Sequence, residues 1–283
     1  MRAYLGACLV LFGWLVLTGC ATRGAVTPRT PAKSGTFATI ESSDRLLGGA
    51  LLADAVQSTA QSRLQVAREY SRLGILDMAQ SWTSMALERE PRLAEGHELM
   101  ARIWRDWRMP DVALRSAHLA VRYAPRSASA HNTLGTVFDA LGQVGAARSA
   151  YLAAAALDRN AGWALNNLCY LEMRAGRFDE ALRSCQGALG LSPALVTAQN
   201  NLALTYAASG AMTNATDAFM TGGDQASAYY NIGIVHLAHR QYADAAIAFE
   251  QAIKLRPTFT EAKRWAHDAR MRLLTASNRV PHE

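Results

Sequence analysis

Residues 128–161 read ASAHNTLGTVFDALGQVGAARSAYLAAAALDRNA, and this stretch decides the fold. His131, Leu134, Gly135 and Phe138 follow the i, i+3, i+4, i+7 spacing of one helical face. After Leu141-Gly142-Gln143 a second face begins, carried by Ala147, Tyr151 and Ala154. Gly142 stands where the chain must turn between two helices, at a backbone position that calls for positive φ. Both faces mix large residues with very small ones. Gly135, Ala147 and Ala154 let helix backbones approach closely, and Leu134, Phe138 and Tyr151 fill the space that remains. The stretch reads as two helices joined by a tight turn, with apolar faces that need neighbours to be buried.

The pattern recurs outward in both directions. Pro91, Pro125, Arg159 and Pro193 are each 34 residues apart, and a fixed period of this length marks an array of stacked helical hairpins. Small residues recur at slots 8, 20 and 27 of the period, as in Ala67, Ala79 and Ala86, or Ala101, Ala113 and Ala120. Gly74, Gly142, Gly176 and Gly210 share slot 15, and a proline at slot 32 closes the second helix. The strings Leu134-Gly135…Phe138…Ala147…Tyr151…Ala154 and Ile232-Gly233…Ala245…Phe249…Ala252…Pro257 resemble the tetratricopeptide repeat. That resemblance implies an all-α solenoid of six helix-turn-helix repeats in a right-handed superhelix, at 60–93, 94–127, 128–161, 162–195, 196–225 and 226–259, so that repeats fill 60–257. The segment 258–283 then supplies a capping helix over Thr260–Thr275, with Ala262, Trp265, Ala266, Ala269 and Leu273 on its packing face. The fifth repeat is 30 residues long rather than 34, and the missing four fall after Phe219, beside Gly222-Gly223. Four residues are about one helical turn, so this reads either as a shortened helix with a local change of pitch or as a harmless deletion.

The first residues read differently. Met1 and Arg2 precede an apolar run from Tyr4 to Leu17, shorter than the ~20 residues a membrane span needs. The run ends in Leu17-Thr18-Gly19-Cys20, which resembles the lipobox of bacterial lipoproteins. The resemblance implies a signal peptide over 1–19, cleavage before Cys20, and acyl chains on Cys20, with palmitate the expected type. Two or three acyl chains anchor a protein stably where one does not. Ala21 rather than Asp after the cysteine points by the same family rule to the outer membrane, facing the periplasm. Residues 20–43, rich in Thr, Pro, Ala, Gly and Ser, read as a disordered tether, and 44–59 as an added N-terminal helix.

Charge excludes one class of function. The net +6 is spread along the chain with acids interleaved, no Lys/Arg run exceeds two, and aromatics are 8% of residues. A nucleic-acid surface needs clustered cations and stacking rings, so no nucleic-acid partner is expected. Neither a phosphate-binding loop nor a nucleophile elbow occurs. His236 and His239 lack a third ligand nearby, and His97 and His131 occupy slot 4, a packing position. The chain reads as a non-enzyme with no cofactor, no catalytic residue and no metal.

What remains is the face built from first-helix slots 2, 5, 6, 9 and 12. Slots 5 and 6 carry Asn132, Asn166, Asn167, Asn200, Asn201, Tyr230 and Asn231, and slot 9 carries Tyr170. Asn166-Asn167-Leu168, Asn200-Asn201-Leu202 and Tyr230-Asn231-Ile232 resemble the asparagine ladder of the tetratricopeptide superhelix in O-GlcNAc transferase, where such side chains grip an extended peptide backbone. An amide both donates and accepts, so it pairs with any peptide group; the alternative is that these amides cap local backbone or face water. In repeats one and two the same face holds Arg68, Glu95, Glu98, Arg102 and Arg105, to read a partner's charges or to pair internally. Cys169 and Cys185, at slots 8 and 24 of repeat four, read as a disulfide or as two small packing residues. The architecture resembles the tetratricopeptide lipoproteins of type IV pilus and tight-adherence (Flp) pilus assembly, the pilotins among them. The resemblance implies protein partners such as a secretin or pilus assembly components, with the membrane engaged through the lipid. An adaptor for polysaccharide export or envelope enzymes would use the same face.

Overall fold

The computed structural model describes residues 59–222 and 224–277. The expectations for the signal peptide, Cys20, the tether and the added helix up to residue 58 lie outside these residues. Thirteen α-helices and no strand occur among the described residues: α1 Ala60–Leu73, α2 Leu76–Arg89, α3 Ala94–Asp106, α4 Pro110–Tyr123, α5 Ala128–Ala140, α6 Val144–Leu157, α7 Gly162–Arg174, α8 Phe178–Leu191, α9 Val196–Ala208, α10 Met212–Thr221, α11 Gln225–Ala238, α12 Tyr242–Leu255 and α13 Thr260–Ser277. They form six helix-turn-helix pairs closed by α13, so the chain is an all-α tetratricopeptide solenoid with a terminal capping helix. The chain divides into two compact units, one ending at Ala164 and the other beginning at Leu165. Each is described by itself.

The small slots are the closest contacts. Slot 20 is Ala79, Ala113, Ala147, Ala181, Ala215 and Ala245, none more than 1% exposed. Slot 8 receives the ring of slot 24: a Cβ on Gly135 would lie 2.6 Å from the Tyr151 ring, and one on Gly233 2.7 Å from that of Phe249. Large residues then fill the volume, with Leu64, Tyr70, Leu99 and Ile103 in the first unit and Phe219, Val235 and Phe249 in the second, each at most 2% exposed.

The turn inside each repeat is closed by one repeated hydrogen bond. The N–H of slot 16 reaches the carbonyl of slot 11 at 2.9 Å in all six repeats, from Ile75 to Tyr70 through Gln241 to His236. This closure places slot 15 in the left-handed region. Arg108 and Arg240 occupy the slot in repeats two and six and adopt φ of 63° and 60° nonetheless. The hydrogen bond and flanking packing outweigh a local cost of about 1–2 kcal/mol.

The short fifth repeat is a shortened helix. α10 has 10 residues where α12 has 14, and the slot-27 position falls on Gly222, where the Gln199 side chain occupies the space a Cβ would need. Gln199 Nε2 donates to Ala218 O at 3.1 Å and Thr221 Oγ1 at 2.6 Å, satisfying the frayed end of α10. Asp224 then caps α11, accepting from the N–H groups of Ala226 and Ser227 at 3.0 and 3.1 Å and from Arg256 at 2.5 Å. The cap starts α11 at Gln225, one residue before the sequence register.

Partial burial raises the Asp224 pKa, but hydrogen bonds from Ser227, Arg256 and Ala226 outweigh it and hold the carboxyl below its ordinary 3.8. A carboxylate whose folded pKa is depressed stabilises the fold above its unfolded pKa and loses that contribution as pH falls through the folded value. Asp224→Asn should therefore melt below wild type at neutral pH, and the gap should close as acid denaturation curves are followed below about pH 3.8.

In α13, Ala262, Ala266 and Ala269 are buried and Trp265 is half-buried, but Leu273 is 39% exposed. The expected packing face is thus one turn too long. α13 has 18 residues against the 14 of α12, and its last turns extend past the helix they would cover.

Candidate peptide-binding face

In the unit from Leu165 onward, the first helices α7 and α9 lie side by side along their asparagines. Asn201 Nδ2 donates to Asn166 Oδ1 at 2.9 Å, joining slot 6 of repeat five to slot 5 of repeat four. Asn201 is 9% exposed, and the Thr205 hydroxyl donates to its carbonyl at 2.7 Å. The pair is therefore partly structural: Asn201 is a wall residue held by its neighbour. The equivalent pair across the next junction, Asn200 and Asn231, does not form. Both are half-buried and make no side-chain hydrogen bond among the described residues. The repeat between them is 30 residues long rather than 34. Asn167 and Tyr170 are half-buried on α7, with the Arg174 guanidinium 5.5 Å over the Tyr170 ring.

Tyr230, at slot 5 of repeat six, is buried. Its ring is 7% exposed, stacked at 4.9 Å on Phe259 and tilted at 5.8 Å against Phe249. An aromatic at slot 5 of the last repeat has the capping helix segment to pack on, and it becomes core. Beneath the same wall, the structure joins Cys169 and Cys185 in a disulfide between α7 and α8, with Cα atoms 5.2 Å apart. Cys169 Sγ lies 3.8 Å from Thr205 Oγ1 of α9.

In the unit ending at Ala164, Asn132 is half-buried on α5. The charged slots of repeats one and two line a recess of about 380 Å³ formed by Arg68, Glu95, Glu98, Leu99, Arg102, Ser127 and Ser129. Arg68 is ion-paired with Glu95. The Glu98 carboxylate accepts from the Ser129 hydroxyl at 2.5 Å and from that of Ser127 at 3.4 Å. Arg105 is held by Asp106 and by Thr136. Arg102 is exposed, but partial desolvation by the recess walls, then the like charge of Arg105, lower its pKa against the pull of Glu98 and Asp106; a guanidinium remains charged regardless. Internal pairing thus absorbs most of this stretch. Ser127, which caps α5, and Ser129, on α5, escape a slot-by-slot reading because they act on Glu98 of α3, a contact created by the stacking.

The histidines are structural. His97 and His131, both at slot 4, place Nε2 at 2.9 and 3.0 Å from the carbonyls of Pro91 and Pro125, latching the preceding loop to the helix. His236 meets Gln241 Oε1 at 2.8 Å and His239 the Val235 carbonyl at 3.0 Å. Among the described residues, no three His, Cys, Asp or Glu side chains gather as a metal site, and no helix is long and apolar enough to cross a membrane.

Two tetratricopeptide repeat models match the chain, over residues 168–221 and 226–259. No curated protein matches it in sequence. Among solved structures it is similar to PilW, a widely conserved type IV pilus biogenesis factor, at 21% identity and a TM-score of 0.63 over 72% of this chain and 97% of that one. It is also similar to PilF of Pseudomonas aeruginosa, at 18% identity and 0.58 over 74% and 97%. A third likeness, to the APC/C hetero-tetramer Cut9–Hcn1, has 19% identity and 0.61 over 75% of this chain and 43% of that one. The chain thus spans less than half the length of the last. At these identities the likeness is one of fold.

Proposed function

We propose that this tetratricopeptide chain is a non-catalytic scaffold of the bacterial envelope, tethered to the outer membrane through acylated Cys20. The first-helix asparagines of repeats four to six then hold extended segments of partner proteins during pilus or secretin assembly. The observation that carries the reading is the state of the amides after Leu165. Asn166 and Asn201 are tied to each other, while Asn200 and Asn231 stand half-buried on the same face without a side-chain hydrogen bond. A partly desolvated amide without a partner is costly, and a peptide backbone supplies both the donor and the acceptor it lacks. The pilus setting is supported by the fold likeness to PilW and PilF over 72% and 74% of this chain and by the lipobox resemblance at residues 17–20.

The test is Asn200→Ala combined with Asn231→Ala, which spares the structural Asn166–Asn201 pair. Each net hydrogen bond is worth about 0.5–1.5 kcal/mol, so loss of both should weaken partner capture from membrane extract by roughly 5- to 150-fold. Circular dichroism should be unchanged. Full retention of every partner would place recognition elsewhere on the molecule.

A further inference from the structure

The unit ending at Ala164 has two edges, and the chain arrives on a particular one. Its first helices run parallel and in register: Gln61 Nε2 meets Glu95 Oε2 at 3.5 Å, slot 2 against slot 2, and Ser129 at slot 2 of α5 meets Glu98 of α3. The start of α1 therefore shares an edge with the three loops that lead into α3, α5 and α7. Each of those loops is the same tight turn, closed by Leu93 N to Glu90 O at 3.1 Å, Ser127 N to Ala124 O at 3.0 Å and Ala161 N to Asp158 O at 3.1 Å. Arg92, Arg126 and Arg159 occupy central positions of the three turns, where a side chain projects from the tip, and all are exposed.

Arg89 and Arg122, in the last turns of α2 and α4, add two more exposed cations to this edge. None of the five makes an ion pair or hydrogen bond among the described residues, whereas Arg68 and Arg105 elsewhere in the unit are both paired. The helix dipole accounts for a cation at a helix C-terminus; it does not account for three in the turns beyond. Glu88, Glu90 and Asp158 only partly offset the five charges. Leu157 and Trp163 stand on the same edge, 40% and 37% exposed. Exposed guanidinium groups beside an indole and a leucine are a composition suited to the headgroup region of a lipid bilayer. The opposite edge, at the turns Gly74–Ile75, Trp107–Met109 and Leu141–Gln143, sets Glu69, Asp77, Asp106, Asp111 and Asp139 against Arg72, Arg105 and Arg108, with Arg72 paired to Glu69 and Arg105 to Asp106.

We infer that the loop edge of repeats one to three is a membrane-facing surface, which lies on anionic phospholipid with Arg92, Arg126 and Arg159 among the headgroups and Trp163 at the interface. The inference rests on the anchor reading above. A lipid at Cys20 is followed by 38 residues before Thr59, and Thr59 starts α1 on this edge. A tether of that length, with a reach of roughly 35 Å, keeps this edge within range of the bilayer, and each cation near an anionic surface adds attraction that salt removes.

The test uses the full chain isolated from membranes. Asn160→Cys on the loop edge and Gln143→Cys on the opposite edge each carry a fluorophore. Each is reconstituted into brominated phosphatidylcholine vesicles with and without roughly 30% phosphatidylglycerol, and quenching is read also at about 1 M salt, where the screening length is about 3 Å. Quenching is expected at position 160 and not at 143, only with phosphatidylglycerol and only at low salt. Arg92→Glu, Arg126→Glu and Arg159→Glu together should reduce it to the level of position 143. Equal quenching at both positions, or quenching indifferent to the triple charge reversal, would overturn the inference. The mass of the N-terminal peptide reports acylation of Cys20 separately: an unmodified Cys20 defeats the anchor reading alone, and the vesicle comparison still decides the edge.

Discussion

Cys169→Ala combined with Cys185→Ala should lower the unfolding free energy by about 3 kcal/mol, the loop-closure value for a bridge spanning some 15 residues. The slots show which space the two sulfur atoms occupy. In repeats three, five and six, slot 24 is Tyr151, Phe219 and Phe249, packed on the small slot-8 residues Gly135, Ala203 and Gly233. Like repeats one and two, where Thr83 and Ala117 stand at slot 24, repeat four has no ring there. Two sulfur atoms between α7 and α8, both cysteines 0% exposed, take its place. Alanine at both positions removes the covalent constraint and also leaves the volume of the missing ring unfilled, which adds a cavity cost. Urea unfolding without reductant measures the change. The unfolded mature chain, cleaved before Cys20 and acylated there, should take up no alkylating reagent until it is reduced. A double variant within about 0.5 kcal/mol of wild type, the range of an ordinary surface substitution, would show that the bridge contributes nothing to stability.

The fold was legible because the repeat physics is local. A small residue at slots 8, 20 and 27 and a positive-φ position at slot 15 each have one structural meaning, and six copies of the same meaning leave little freedom. Even Arg108 and Arg240, which break the glycine rule at slot 15, adopt the left-handed conformation that the slot requires. The helix shortening at α10 was legible too, since a turn's worth of missing residues next to Gly222 has few other outcomes.

The candidate site was less legible, for a physical reason. Slot position tells which face a residue occupies, not what its neighbour in the next repeat does to it. Tyr230 and Asn200 share slot 5, yet one is core and the other half-buried and without a side-chain hydrogen bond, because the segment after repeat six supplies Phe259 as a packing partner. Asn201 pairs with Asn166, while Asn231 and Asn200, at the same two slots of the next junction, do not pair. Arg68 and Glu95 could be named as neighbours from their slots, but the recess that Ser127 and Ser129 help to form depends on side chains meeting across a stacked interface. Contacts between repeats are set by rotamer and register, and neither is visible in a periodic string.

Ala181→Trp should be the most damaging single change in the unit that follows Leu165, at about 3 kcal/mol or more, above the usual 1–3 kcal/mol range for overpacking. Ala181 is slot 20 of repeat four, 0% exposed, in the same cluster as the disulfide, Ala203 and Ala207. Slot 20 is alanine in all six repeats, so no version of this contact holds a longer side chain. An indole has no cavity to enter and must push neighbouring helices apart. In a stacked array, separation at one interface also weakens the interface of the next repeat. A control separates this from general intolerance of tryptophan: Leu191→Trp, at a position 45% exposed on the same repeat, should change stability by no more than about 0.5 kcal/mol. Thermal melts followed by circular dichroism read both. Equal melting of the two variants would mean that slot 20 is not a close-packed contact and that the register of repeat four is wrong.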